Sequence, residues 1–356
     1  IKSNLGEIRA DTGDTTTGNN PYDTIAALDL RNSLLRLNYP NAAGTAPNVA
    51  DSRFSTTAPI SMRSSQINIE NASFSGTSTN FFDYAVAQTF GTTTMHSGAN
   101  YINFRSADAG SVTMTFTDLL NPNPGTTLEF QIDSLSGGAA HNLGVTGSKH
   151  RILNTALEGG AGVPFLGGWA RTSGGQSTTS LMEFVKYVLG SGYTMLASGD
   201  YATNTAEGTW ASGQNVKITT TATTTLTADR TVQSLNLQST TARTLTGNPG
   251  TTLEIESGGL ISQGATHVIS VPFLTAGAGG DHVLYLHTPS SNIIRSIITD
   301  NGGNPVSLVK DDGGTVSFLG NNTYTGTTFL NEGMFRDIIG ARNLTALGSG
   351  NFNMAG

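Results

Sequence analysis

Short runs of alternating apolar and polar residues recur along most of the chain. Clear examples are QINIE (66–70), YINFR (101–105), VTMTF (112–116) and VQSLNL (232–237). A period of two over four to six residues is typical of β-strands. Asn, Gly, Pro and Thr separate these runs, so the pattern predicts many short strands joined by tight corners. Both a β-sandwich and a β-solenoid fit this pattern.

Internal repetition favours the solenoid. The segment NPGTTLEF (123–130) recurs as NPGTTLEI (248–255). Each copy follows an alternating run and precedes a corner rich in Ser and Gly. Units of this kind cannot each bury an apolar face alone, but stacked units share one continuous core. The repetition therefore predicts an all-β solenoid whose two end strands leave unpaired backbone groups.

One segment departs from the alternation. In SLMEFVKYVLG (180–190), Ser180 stands at a potential helix N-cap, Glu183 follows three residues later and Gly190 closes the segment. This spacing is a capping-box signature, so a short helix and a strand are both open here. The surrounding residues 163–210 contain both tryptophans. We interpret 163–210 as an irregular insertion or distorted rungs between solenoid regions 1–162 and 211–356.

Composition excludes several functions. The formal charge is −7, and Lys plus Arg total 18, so a nonspecific grip on nucleic acid is not expected. The absence of cysteine excludes a disulfide framework and thiolate metal sites. No apolar run is long enough for a transmembrane helix. The chain begins without a signal-peptide pattern and stops within a strand pattern, so we expect it to be a fragment of a longer polypeptide.

Candidate catalytic and metal-binding residues are few. Asp311 and Asp312 form an adjacent acidic pair beside Lys310, but two glycines follow them, which predicts a solvated turn. Asp11 and Asp14 offer oxygen ligands for Ca²⁺ without the spacing of an EF-hand.

The histidines add no catalytic motif. His282 and His287 flank the apolar run 283–286, which favours a role at a strand end or on the surface. The sequence lacks an HExxH or GxSxG arrangement. We therefore predict no catalytic residue, no cofactor and no metal site, and hence no enzyme activity.

Four aromatic residues are candidates for contact with a glycan. Trp169, Tyr193, Tyr201 and Trp210 lie within the irregular region, where aromatic rings could stack on a sugar. The alternative is that these rings cap a hydrophobic core.

The C-terminal region resembles a known bacterial repeat. The runs IITDNGG (297–303), SLVK (307–310) and VSFLGNNTYTGTT (316–328), followed by ALGSG (346–350), resemble the autotransporter-associated β-strand repeat. The segments LGGWA (166–170) and DYA (200–202) are similar to segments of giant multi-repeat surface proteins of this type. Thr327 replaces a second glycine after Gly326, and GMF (333–335) replaces Gly-Thr-Leu, which are mild departures.

This resemblance covers most of residues 60–356. It implies a right-handed parallel β-helix on, or released from, the surface of a Gram-negative-type bacterium, and it implies no particular activity.

The sequence leaves three functions open. The first is a structural component of an extracellular fibre or surface layer, which assembles when rungs of one chain stack on another copy. The alternative is an adhesin passenger that binds glycans or host surfaces, with residues 169–210 as the contact. A polysaccharide lyase or hydrolase is the least favoured. The expected partners are further copies of the chain or surface glycans, without nucleic acid.

Overall fold

The structure is a computed structural model that describes residues 2–4, 6–10, 25–38, 54–70, 72–75, 78–81, 85–106, 111–121, 123–134, 143, 150–173, 182–202, 207–219, 223–337 and 347–354. Within these residues the chain is nearly all β, and most strand pairs are parallel. The helical elements are α1 (Thr155–Glu158) and the short 3₁₀ turns Ser198–Asp200, Glu207–Thr209 and Ala278–Gly280. None of the helices in the described residues is long and apolar enough to cross a membrane.

The strands up to residue 195 form what we call the first stack. They are β1 (Lys2–Asn4), β2 (Glu7–Ala10), β3 (Leu28–Arg31), β4 (Leu34–Asn38), β5 (Ile60–Arg63), β6 (Gln66–Glu70), β7 (Ala72–Ser75), β8 (Ser78–Phe81), β9 (Ala85–Phe90), β10 (Thr93–Ser106), β11 (Ser111–Phe116), β12 (Leu119–Leu120), β13 (Thr126–Ser134), β14 (His150–Asn154), β15 (Ala170–Ser173), β16 (Met182–Val188) and β17 (Gly192–Met195). The main sheet runs β1-β3-β5-β10-β13-β15-β16-β17, with β2, β4, β6 and β12 joined to it. A second sheet has the order β14-β11-β9, and β7 pairs with β8.

The strands from residue 201 onward form the second stack. They are β18 (Tyr201–Ala202), β19 (Asn215–Ile218), β20 (Thr223–Leu226), β21 (Arg230–Val232), β22 (Ser234–Gln238), β23 (Thr244–Gly247), β24 (Thr252–Ile255), β25 (Gly259–Gln263), β26 (Val268–Ser270), β27 (Phe273–Ala276), β28 (Val283–His287), β29 (Asn292–Ile294), β30 (Ile297–Ile298), β31 (Ser307–Asp311), β32 (Thr315–Phe318), β33 (Thr328–Leu330), β34 (Met334–Asp337) and β35 (Phe352–Met354). The sheets run β18-β19-β22-β25-β28-β31-β33-β35, β20-β23-β26-β29-β32-β34 and β21-β24-β27-β30.

Alternation along each strand produces columns of side chains across the paired strands. In the second stack Val216 aligns with Leu235, Leu235 with Leu260, and Leu260 with Leu286. All four side chains are fully buried in one apolar core. The next position in this inward column is Lys310, which is also fully buried. The burial of aliphatic columns explains why the period-two pattern specifies these strands.

Within the segment 180–190, Met182–Val188 form a strand rather than a helix. Strand β16 pairs antiparallel with β15 on one side and with β17 on the other. Phe184 and Val185 are both fully buried, because successive strand residues point to opposite faces and β16 packs on both faces. Pairing on both edges therefore outweighs the local capping-box signal.

The outward face of the first stack packs against the outward face of the second, and we call this contact the seam. On the first stack Tyr101, Glu129, Arg171 and Phe184 align across β10, β13, β15 and β16. On the second stack Ile261, His287 and Asp311 align across β25, β28 and β31. Phe184 packs with Ile261, Arg171 contacts His287 and Asp311, and Tyr101 bonds to Glu332.

The order of these contacts fixes the orientation of the two stacks. Later strands of the first stack meet earlier strands of the second, so the two stacks lie side by side with opposite chain progression. Close approach at the seam needs glycine at Gly168, because a Cβ there would overlap the backbone of Ser257 and Gly259. The seam is therefore a close-packed contact between the two stacks, each of which has its own hydrophobic core.

The seam also corrects one sequence prediction. Lys310, Asp311 and Asp312 were expected to form a solvated turn, and this is wrong, because their side chains are 0%, 1% and 5% exposed. The two glycines that follow do form a corner, and Gly313 is exposed there, but the carboxyl groups of Asp311 and Asp312 pair with Arg171 of the first stack. His287 ends β28, as expected for a strand-end residue, and it is fully buried at the seam. The Ca²⁺ candidates Asp11 and Asp14 lie outside the described residues.

Candidate functional site

Arg171 is the centre of a buried ion cluster at the seam. Its guanidinium forms ion pairs with Glu129 of its own stack and with Asp311 and Asp312 of the second stack. Its side chain is 1% exposed, and its Nε donates to His287 Nδ1 at 3.2 Å. One cation thus faces three carboxyl groups in a site without solvent, where charge pairing is strong and an unpaired charge is costly.

The two aspartates of the cluster differ in their pKa values. Burial raises the pKa of Asp312 well above its ordinary value, although Arg171 opposes this. Burial acts in the same direction on Asp311, but Arg171 and His287 hold its pKa well below the usual range. Of the two aspartates, Asp312 therefore binds a proton more readily than Asp311.

Lys310 is a second buried cation, and it lies within the core of the second stack. Its ammonium donates to the backbone oxygens of Asp311 at 2.7 Å, Asp312, and Glu332 at 3.3 Å. Burial lowers the pKa of Lys310 to about 8, with the neighbouring carboxylates opposing the shift. The three carbonyls explain how a lysine occupies an aliphatic column, because every ammonium proton has an acceptor.

The cluster includes the donor set of a potential metal site, but Arg171 occupies its centre. His287, Asp311 and Asp312 offer ligand atoms within 4.8 Å of one another. Both ring nitrogens of His287 are already engaged, Nδ1 by Arg171 and Nε2 by the Gly168 oxygen at 2.7 Å. The guanidinium bridges both aspartates, so a second cation would meet direct repulsion. The geometry is that of an ion cluster.

A small pocket of about 100 Å³ opens to solvent beside the cluster, and we call it the seam pocket. Residues of both stacks line it: Asn121, Asn123, Pro124 and Leu166–Trp169 come from the first stack, and Gly279–Asp281 and Tyr285 from the second. This volume is below the roughly 300–1,000 Å³ typical of small-ligand sites, so the pocket holds at most part of a ligand. The pocket exists only where the two stacks meet.

Aromatic rings form one wall of the seam pocket. Trp169 is half-buried and packs against the first core and against Val283, Tyr285 and Val309 of the second stack. Gly167 has φ +134°, and a Cβ there would overlap the indole, so this glycine lets Trp169 fold over the backbone. Burial, with the Asp281 charge, raises the pKa of the Tyr285 phenol. Because Tyr285 is only 4% exposed, Trp169 is the ring that borders the open space of the pocket.

Polar acceptors also belong to the pocket lining. The Asn121 Oδ1 atom is buried without a hydrogen-bond partner among the described residues. Asp281 is exposed and takes a left-handed backbone conformation with φ +53°, and His282 follows with φ +56°. Two consecutive non-glycine residues with positive φ are strained, and such strain concentrates at functional sites. The observation supports the seam pocket as a ligand site.

The four predicted glycan-contact residues do not converge. Trp169 lines the seam pocket, whereas Trp210 is 4% exposed in the second core. Tyr193 is 1% exposed and stacks on Phe130 with ring centroids 4.9 Å apart. Tyr201 is 9% exposed, and its hydroxyl donates to Glu183 at 2.6 Å. Glycan contact thus stays a prediction for these residues, and Trp169 is the one that borders open space.

Sequence reasoning missed the second-stack half of the pocket. Asp281 and Tyr285 were not singled out, and neither were Asn121 and Asn123. The available signals were the Gly279–Gly280–Asp281 run before a strand and the two glycines before Trp169. Nothing in the sequence indicated that these segments, far apart along the chain, would meet.

The described residues thus combine parallel β-sheets with a candidate ligand pocket, and the sequence is similar to that of a known adhesin. The chain is 29% identical over 275 residues to the "Adhesin BmaC autotransporter" of Brucella suis biovar 1 (strain 1330). The alignment covers 68% of this chain and 8% of that much longer protein. No family model matches the chain, and no solved structure matches it. The similarity supports the autotransporter class, and the specific β-strand repeat stays a prediction.

Proposed function

We propose that this chain is a passenger segment of a bacterial cell-surface adhesin that binds glycans at the seam pocket. The observation that carries the proposal is a pocket built by residues of both stacks, in which Trp169 borders open space and the buried Asn121 Oδ1 atom has no partner among the described residues. Similarity to an autotransporter adhesin supports a location on the cell surface, or released from it, of a Gram-negative bacterium. It also favours this function over the structural fibre that the repetition suggested first.

The same proposal includes the finer fold. Both stacks are right-handed parallel β-helices, and residues 297–328 are an autotransporter-associated repeat. Parallel registers such as Leu235 with Leu260 and Leu260 with Leu286 support this, because each circuit of the chain returns one strand further along. The role is binding without catalysis, since the buried carboxyl groups pair with Arg171 and do not converge on the pocket.

A glycan array with matched tryptophan variants tests the binding function. We expect the chain to bind a subset of glycans, and we expect Trp169→Phe to weaken that binding because the wider indole stacks better on a sugar. Trp210→Phe is the control, since Trp210 lies in the second core. Absence of binding, or equal binding by both variants, would contradict the proposal.

Self-assembly into a fibre is the second candidate. Met334 and Met354, near the end of the described second stack, are 56% and 71% exposed. Stacking of a second copy would cover such apolar groups and pair the outer strands. Sedimentation over a range of protein concentrations distinguishes the two candidates. The mass of the sedimenting species should increase with concentration if the chain forms fibres, and it should stay that of a monomer if the chain is an adhesin segment.

A further inference from the structure

We infer that His267 is an acid-sensitive switch, which holds two corners of the second stack and one end of the seam together only while its imidazole is neutral. The inference goes beyond the proposed glycan binding, because it concerns how the fold responds to acid. It follows from three observations: the hydrogen bonds that fix the ring, the charge that faces it and the seam contact made by the neighbouring Gln263.

The hydrogen bonds of His267 require the neutral ring. His267 is fully buried in the corner 264–267, between β25 and β26. Its Nδ1 atom accepts the Arg243 backbone N–H at 3.0 Å, from the preceding corner 239–243. A backbone amide can only donate, so Nδ1 carries no proton, and Nε2 carries the proton that it donates to the Gln263 oxygen at 2.9 Å. The ring is therefore an uncharged tautomer that links the two corners.

A proton added at Nδ1 would face the Arg243 amide, which is itself a donor, so the hydrogen bond between the corners would be lost. The Arg243 guanidinium donates to the Ser239 hydroxyl at 2.9 Å and the Thr219 oxygen at 3.2 Å, both of which are neutral. Burial lowers the pKa of His267, the bond to the Gln263 oxygen opposes this shift, and the Arg243 charge adds to it. Within the described residues, Arg243 is the one charged group that acts on the ring.

The following rung presents uncharged groups to His267. The Asn292 side chain accepts the His267 backbone N–H at 3.1 Å, and Ile293 donates to the His267 oxygen at 2.9 Å. His287 at the seam differs, because its Nδ1 lies 3.4 Å from Asp311 Oδ2, a carboxylate that can pair with a protonated ring. Of these two histidines, His267 is thus the one whose protonation is uncompensated.

Gln263, whose oxygen accepts from His267, also joins the two stacks. Its side-chain Oε1 accepts the Met182 N–H of β16 at 2.6 Å, and its Nε2 donates to the Met182 oxygen at 2.7 Å. The Gln263 backbone oxygen also accepts the Ser239 N–H at 3.2 Å, so this residue contacts both the preceding corner and the first stack. When the corner 264–267 moves away from the corner 239–243, Gln263 loses this position and releases Met182. Acid therefore loosens the seam at β16.

Proton linkage gives the direction and the size of the effect. The open corner binds the proton with a pKa near the ordinary value of 6.5, and the closed corner binds it more weakly. Below that pH, each further unit therefore favours the open form by up to about tenfold. At neutral pH and above, both forms lack the proton and the corner stays closed.

Hydrogen exchange of the Met182 amide, measured by NMR on the whole chain labelled with ¹⁵N-methionine, tests the inference. The variant His267→Asn places an amide oxygen near the position of Nδ1, so it retains an acceptor for the Arg243 amide that does not titrate. We expect the ratio of the Met182 exchange rate in the wild type to that in the variant to rise by up to about tenfold from about pH 7.5 to about pH 5.5. Comparison at equal pH cancels the intrinsic pH dependence of exchange.

The matched control is His282→Asn, the same substitution at a half-buried residue with φ +56°, a backbone conformation that asparagine tolerates. The corresponding ratio for this variant should not change with pH. A constant ratio for His267→Asn, or an equal rise for both variants, would overturn the inference.

Imidazole ¹H–¹⁵N correlation spectra of the wild type keep the inference testable if His267→Asn does not fold. At about pH 6.5 the His267 ring should be mainly neutral, with its proton on Nε2, because the folded state binds a second proton weakly. A ring that is mainly charged at this pH, or that carries its proton on Nδ1, would overturn the inference.

Discussion

The two copies of the Asn-Pro-Gly-Thr-Thr-Leu-Glu segment have nearly the same sequence but different surroundings. In both copies the strand points its apolar residues inward, so that Leu128 and Leu253 are fully buried. Glu129 is 5% exposed and pairs with Arg171, whereas Glu254 is only partly buried on a sheet that does not form the seam. The local sequence therefore determines that each segment forms a strand with its leucine buried. The position of the strand within the stack determines whether its glutamate belongs to a buried ion cluster.

The largest expected effect comes from removing the cation that distinguishes the first copy. Arg171→Met leaves Glu129, Asp311 and Asp312 without their partner, which should cost about 3–5 kcal/mol of unfolding free energy. Denaturant unfolding measures this loss. Arg31→Met removes an exposed arginine that pairs with Asp29 and should change stability little. Equal effects of the two substitutions would show that the seam is not buried.

The inward positions should behave alike in the two copies. Leu128→Ala and Leu253→Ala each remove a fully buried side chain, which should cost about 2–5 kcal/mol in either stack. Thermal and denaturant unfolding of both variants gives the comparison. A large loss in one copy and none in the other would mean that the two strands are not equivalent.

The core of the second stack can be tested by pH through Lys310. Its folded pKa is lowered to about 8, so the penalty for burying the charge is present in full below that pH. Between pH 8 and the pKa of 10.5 expected for Lys310 in the unfolded chain, the folded state has lost the proton while the unfolded state still binds it. The free energy of unfolding should therefore increase as the pH rises through this interval.

Lys310→Met supplies the reference for this measurement. The stability of the wild type relative to Lys310→Met should rise by on the order of 2 kcal/mol across that interval. Taking the difference between the two proteins cancels the titration of the buried tyrosines. A difference that is independent of pH would place Lys310 in solvent.

Substitution of the two glutamates should have the smallest effect on stability, and the effect should differ clearly between the two copies. Glu129→Gln weakens the pair with Arg171 and should cost about 1–3 kcal/mol, because a hydrogen bond to a buried charge is lost. Glu254→Gln should change stability by less than about 0.5 kcal/mol. Equal values would contradict the different environments of the two copies.

Much of the strand content could be predicted from alternation, but the site could not. The pattern identified the inward residues of both copies, because burial on one face depends only on the period of the strand. It did not predict the burial of Glu129, Asp311 and Asp312, because that depends on a sheet from the other stack. It did not predict the burial of Lys310 either, because that depends on three backbone carbonyls that accept from its ammonium. The capping-box signal at Ser180 and Glu183 was overridden for the same reason, since partner strands decided the conformation.

The most direct test of the central claim is a distance measured across the seam. Because the chain has no cysteine, the double variant Asn123→Cys/Asp281→Cys can be spin-labelled at two residues that line the same pocket from different stacks. Pulsed electron paramagnetic resonance should give one short, narrow distance, and Asn123→Cys/Thr225→Cys should give a longer one. A broad, long distribution for the first pair would contradict the packing of the two stacks.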